Sequence, residues 1–389
     1  MNKKEISEIK KQFTQEHCAI TRICGCYVDG EGERKADMKE AFLSLPEEEM
    51  FKYFEIFRKN LSGTVGKNLI NLEFPLAAEN EGSAHDLLLR LRESRLTDDV
   101  LLDTFYDKIL ETLDMEGSFL ILLIHSVYDI PGKSTDGSEL FDASDEVYDY
   151  LLCTICPVKL TKPGLCYNTE AGVIQNRTRD WLVELPVTGF LFPAFNDRST
   201  DIHSLLFYSK DANLSQARLI EEFLRCVLPL AADSQKETFN ALVEETLGDG
   251  CDFEAVKAIH EELAERLEET KENLEPLILS KTEVRSLLSE NGADEERLSD
   301  FEARYEEAAG SGAPILASNI VNTRKFEIRT PDIVVQVKPE QASLVETRVI
   351  DGRPCLVIPM EGQVEVNGIC LAPYIQEEQE EVNHEYEYR

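Results

Sequence analysis

One stretch limits the fold more than any other. Over residues 117–210 the apolar pattern changes from a helical period to runs that suit β-strands. "SFLILLIHSVYDI" and "YDYLLCTICPVKL" read as two buried strands, and "DWLVELP", "GFLFPAF" and "DIHSLLFYSK" as three more. Gly, Pro, Asn and Asp punctuate these runs, and the later connections leave no room for a crossover helix. Short connections require antiparallel pairing. Residues 131–145 form a polar excursion between the first two strands. The expected class is α+β, built on an antiparallel sheet.

The first hundred residues read as mainly helical. Ile6, Ile9 and Phe13 mark a short amphipathic helix. Apolar positions between Met38 and Leu61 predict two more helices, the second opened by Pro46 ahead of Glu47, Glu48 and Glu49. "SAHDLLLRLRES" and "TDDVLLDTFYDKILETL" give another two, the latter begun by Thr97. After the sheet, helices are expected over 214–226, 234–247, 252–272, 281–289 and 294–309, followed by a flexible "AAGSGAP" joint. The runs "KFEIRTPDIVVQV", "LVETRVIDGRPCLVIPM" and "QVEVNGI" close the chain as short strands, with Asp351-Gly352 signalling a hairpin. The expected organisation is a mixed domain over 1–213, an acidic helical segment over 214–310, a small β module over 311–375 and a disordered acidic tail over 376–389.

Charge narrows the function classes. With 40 basic and 75 acidic residues the chain carries a net charge of −35, and it repels polyanions and anionic lipid at long range. Such a chain favours solubility, basic partners or divalent cations. Residues 216–310 alone hold 25 acids against 10 bases, a net −15. The N-terminus "MNKKEISEIKKQF" has no apolar core of a leader, and "FLILLIHSVY" is too short to span a bilayer. The expectation is a cytoplasmic protein, off the membrane, whose 10 cysteines are reduced thiols.

Six of those cysteines fall in two short stretches, "CAITRICGCYVDGEGE" and "LLCTICPVKLTKPGLC". A metal site would draw on Cys24, Cys26, Cys153 and Cys156, with Cys18 and Cys166 farther off. On a strand, however, Cys153 and Cys156 point to opposite faces. The pattern suits packing thiols, and neither a metal nor any other cofactor is expected. "LSGTVGKNL" lacks the spacing and the hydroxyl residue of a phosphate loop, and "DIPGKSTDGSELFDASDE" never meets the register of a calcium loop. The densest polar cluster is "FNDRSTDIHS", where Asp197, Arg198, Asp201 and His203 form a candidate polar surface at the mouth of the sheet. The same residues also suit a plain turn. No catalytic assignment follows from any motif. Bases cluster twice: Lys3, Lys4, Lys10 and Lys11 on the first helix, and Arg324, Lys325 and Arg329 before the last strands. These seven are the candidate nucleic-acid contacts.

The segments "CAITRICGCYVDGE", "AFLSLPEEEMFKYFEIFRKNLSGTVGKNL", "HSVYDIPGKSTDGSELFDASDEVY", "GFLFPAFNDRSTDIHS" and "SNIVNTRKFEIRTPDIVVQV" together resemble a bacterial family known only as a domain of unknown function. The resemblance spans nearly the whole chain and implies no activity, cofactor or site. In layout the chain is also similar to the nucleoid-associated NdpA-like proteins. The shared plan is a helical start, an antiparallel sheet, "DRSTDIHSLLFYSKDANL" leading into acidic helices, and a small β end. That similarity implies association with the bacterial chromosome. The leading expectation is a non-enzymatic interaction protein, its partner a protein or a nucleic acid. The alternative is an enzyme, with either a thiol–metal centre on the cysteines or a hydrolytic site around Asp197 to His203.

Overall fold

The computed structural model describes residues 1–133, 139–140, 146–211, 213, 216–270, 273, 275–309, 315–322, 325–359, 364–366 and 369–370. Its centre is an antiparallel sheet. The seven principal strands are β1 (Ile20–Val28), β2 (Arg34–Glu40), β3 (Leu69–Glu73), β4 (Phe119–Asp129), β5 (Val147–Leu160), β6 (Thr188–Phe192) and β7 (Ser204–Ser209), in spatial order β2-β1-β4-β5-β6-β7-β3. Every neighbouring pair is antiparallel. The fold is α+β, as the short connections require.

Both faces of the sheet are covered, which explains why β4 and β5 are apolar on both sides rather than alternating. Helices α1 (Lys3–Lys10) and α2 (Glu47–Asn60) lie on one face, over Leu122, Ile124, Leu152 and Leu191. Helices α3 (Ala84–Glu93) and α4 (Asp99–Thr112) lie on the other, over Ile121, Leu123, Cys153 and Phe190. A π-helical turn at Leu219–Leu224 joins them there, with Phe223 edge-on to Phe105.

Four readings are corrected in the first hundred residues. Residues 34–40 form β2, because β1 offers them a pairing edge from Ile23 to Val28. A single turn at Phe42–Ser44 follows, so α2 is the one helix where two were expected. Leu69–Glu73 closes the far edge of the sheet against β7. Finally, α4 is capped by Asp98, whose carboxylate accepts the Val100 and Leu101 amides, and Thr97 donates instead to the Ser94 carbonyl.

Downstream, α5 (Ala232–Leu247), α6 (Phe253–Glu269), α7 (Lys281–Glu290), α8 (Glu295–Ser299), α9 (Phe301–Ala309) and α10 (Ala317–Ile320) enclose a separate core around Leu242, Ile259, Leu263, Leu288 and Phe301. The expected helix over 294–309 divides at Asp300. Buried Gln235 stitches this bundle, its side-chain oxygen accepting from the Leu316 amide and from Asn319. Leu316 in turn packs where a side chain at Gly66 (φ +82°) would stand, so residue 66 must be glycine on both conformational and steric grounds.

The last strands form three two-stranded hairpins, Phe326–Arg329 with Val334–Val337, Glu346–Ile350 with Arg353–Val357, and Glu365–Val366 with Ile369–Cys370. The Asp351-Gly352 turn has both residues at positive φ, the geometry that favours a right-twisted hairpin. Most of the "AAGSGAP" joint, much of the 131–145 excursion and the whole 376–389 tail lie outside the described residues.

A two-stranded arm leaves the sheet at the end of β5. Trp181–Val183 pairs with Val158–Leu160, and beyond it Leu165–Asn168 pairs with Val173–Asn176.

Candidate nucleic-acid interface

Helix α1 buries Glu5, Ile6 and Ile9 and exposes the opposite face. Lys3 and Lys10 are seven residues apart, as are Lys4 and Lys11, so each pair lies along one row of the helix surface, separated by about 10 Å. The helix starts firmly: Asn2 accepts the Lys4 and Glu5 amides, and Glu5 accepts the Asn2 amide in return.

At its other end α1 meets the last turn of α2. Lys10 donates to Ser62 Oγ at 2.6 Å. Burial, and then the repulsion of Arg58 and Lys59, lowers the Lys10 pKa from its ordinary value. Arg58 and Lys59 were not singled out from sequence, although "FRKN" at a helix end is a legible basic turn. Among the described residues, none of Lys3, Lys4, Lys10, Lys11, Arg58 and Lys59 forms an ion pair. Glu8, on the same helix, is engaged elsewhere, by Tyr128 at 2.8 Å and Arg198 at 3.1 Å.

The second basic cluster differs. Lys325 and Arg329 both hold Glu327, at 3.2 and 2.7 Å, and with Gln336 they pull its carboxyl down to about 2. One carboxylate is shared by the two cations, so half of their charge is offset within the hairpin. Arg324 lies outside the described residues.

The polar cluster over 197–203 is pulled in three directions. Asp197 and Arg198 occupy a two-residue turn, both at positive φ, between the paired Asn196 and Ser199. Arg198 reaches back to Glu8 and to the Pro131 carbonyl at 3.3 Å, tying the turn to α1. For Asp201, burial pushes the carboxyl pKa up, but bonds from Ser204, Asn196 and the His203 amide outweigh it and hold the pKa low. His203 is exposed and pairs with Glu79 at 2.7 Å. The four side chains hold the turn and do not converge on a common point.

Nor do the cysteines converge. Cys24, Leu123 and Cys153 stand in one row across β1, β4 and β5, so two strand spacings, roughly 10 Å, separate the two thiols. A shared zinc needs each sulfur about 2.3 Å from the ion. Cys156 packs on the opposite face with Leu152 and Leu191. Burial pushes the Cys24 and Cys26 thiols up to about 11 and Cys156 up to about 12, which keeps them protonated.

Two arrangements were not legible in sequence. His125 is fully buried, with Nδ1 2.7 Å from Thr21 Oγ1 and Nε2 2.7 Å from Asp149 Oδ1. Thr21 is the extra residue of a β-bulge opposite His125 and Ser126. The ring thereby ties β1, β4 and β5 together at one end of the sheet. In the β1–β2 turn, Asp29, Glu31 and Glu33 place carboxylate oxygens within 4.8 Å of one another. Asp29 shapes that turn by accepting the Glu31 and Glu33 amides, and Lys35 supplies the counter-charge to Asp29 and Glu33.

A family model described as a domain of unknown function (DUF4317) matches residues 1–369. The chain belongs to that family. No curated protein matches it. The family match covers the sheet, both covering helical layers and the helical bundle, so the lysine face of α1 and the last turn of α2 lie within the family's span. It does not show the expected similarity to NdpA-like proteins. Among the described residues no helix is long and apolar enough to cross a membrane.

Proposed function

We propose that the chain is a non-enzymatic interaction protein of the cytoplasm that associates with nucleic acid through the lysine face of α1 and the last turn of α2. One observation supports this reading above the others: on a molecule of net charge −35, Lys10 is held beside Arg58 and Lys59, and among the described residues no carboxylate lies within ion-pair distance of any of the three. Keeping like charges together is unfavourable unless an anion joins them, and phosphate oxygens are the anions that lysine rows and an arginine suit best. Lys3, Lys4, Lys10 and Lys11 form two rows, each about 10 Å long, enough to reach successive phosphates of a strand. Nothing in the face is arranged to read base edges, so the binding is to the backbone and depends little on sequence. The acidic body repels the same polymer, which restricts approach to this face.

Fluorescence anisotropy with labelled single-stranded DNA, duplex DNA and RNA at low salt tests the proposal. The chain should bind with the affinity of non-specific contacts, a Kd of about 10⁻⁶–10⁻⁴ M. The Lys10→Glu/Arg58→Glu variant should lose at least tenfold. Absence of binding to all three polymers at low salt would discard the nucleic-acid reading and leave a protein partner.

A further inference from the structure

The arm formed by residues 158–185 exposes Leu165, Tyr167, Val173, Ile174, Trp181, Leu182, Val183 and Leu185, and Leu165 is 77% accessible and Trp181, the chain's one tryptophan, 58%. Solvated hairpins place polar residues on the outer face, yet here large apolar side chains occupy both. Trp181 and Val183 alternate with Leu182 along one strand, while Tyr167 and Ile174 stand opposite each other across the tip. Beyond the sheet both edges of the ribbon are open among the described residues, and a two-stranded ribbon is marginal on its own. A contiguous apolar surface of this kind marks an interface.

We propose that this arm is a self-association surface at which two copies of the chain pair about a two-fold axis. Charge selects the occupant. Within 159–185, Lys159, Lys162, Arg177 and Arg179 face Glu170, Asp180 and Glu184, a balance of +1, so the remainder of the chain carries −36. Two copies repel one another in most orientations, and the arm, at +1, is a place where they meet with little repulsion and with both signs available for cross-pairing. Apolar residues on both faces suit a second ribbon, which can lie along an open edge and cover either side. Eight side chains from each copy, at roughly 80 Å² apiece, cover about 1,300 Å², the size of a stable interface. A symmetric contact also closes on itself, which prevents filaments.

The test is sedimentation equilibrium on the full chain over a concentration series, with Trp181 emission recorded on the same samples. The mass should approach twice 44.1 kDa as concentration rises, and the emission should shift to shorter wavelength in step. The dimer fraction should grow with added salt, which screens the repulsion between bodies, whereas nucleic-acid binding weakens with salt. Ile174→Asp/Leu182→Asp, which replaces two exposed residues and keeps Trp181, should stay at the single-chain mass with unshifted emission and an unchanged circular dichroism spectrum. A single-chain mass and constant emission at every concentration would overturn the proposal. So would a variant that still doubles.

Discussion

At Lys10 a surface cation sits where its neighbours disfavour its charge, through partial burial first and then through Arg58 and Lys59. His203 is the opposite case. A hydrogen bond donated to Glu79, then the charge of that carboxylate, raises the imidazole pKa above the ordinary value. The sign of the pH effect follows. The pair's contribution to stability is complete below about pH 6.5, where the ring is charged even when unfolded, and is lost as pH rises through the higher folded value. An NMR titration should place the His203 midpoint above about 6.5, and Glu79→Gln should return it toward that value. A His203 midpoint unaffected by Glu79→Gln would refute the pairing. The buried thiols follow the desolvation rule: Cys24, Cys26 and Cys156 are displaced upward by burial, as packing residues are.

Among elements, α4 gives the clearest test of how local signals build the fold. Asp98 satisfies two free amides at its start, and Phe105 packs against Tyr106, Phe190 and Phe223 with no exposure. In urea denaturation Asp98→Ala should lower stability by about 1 kcal/mol and Phe105→Ala by about 3–5 kcal/mol. Thr97→Ala, outside the cap, should change little, and equal losses at 97 and 98 would contradict the assignment. The same region shows what sequence reading reaches. β4, β5, β6 and β7 were legible, because apolar runs bounded by turn residues leave few alternatives. β2 was not, because "RKADMKE" is polar and becomes a strand only through the edge that β1 offers. Arg34 then fixes that strand to α4 by reaching Asp103 and Asp107 at 2.8 and 3.2 Å, contacts between residues about seventy apart that no local pattern encodes. The lysines of α1 were visible as a run, whereas their convergence with Arg58 and Lys59 required the packing of α1 beside α2. The Thr21–His125–Asp149 chain was hidden for the same reason: a bulge and two strand registers bring it together.

For the whole molecule, charge organises everything described. A body of net −35 carries one face where cations gather with no ion pair among the described residues and one arm where charge nearly balances. The first face is proposed to hold a polyanion and the second a second copy. The salt dependence of nucleic-acid binding tests the first claim most directly. Plotting log K against log salt for the full chain should give a straight line whose slope reports the phosphates neutralised, about 0.7 per contact for a single strand. Removing Lys10 and Arg58 as Lys10→Ala/Arg58→Ala should flatten the slope by about 1.4, while Lys325→Ala, which shares Glu327 with Arg329, should change it by much less. A slope that is flat for the full chain, or that responds to Lys325 and not to Lys10 and Arg58, would contradict the account.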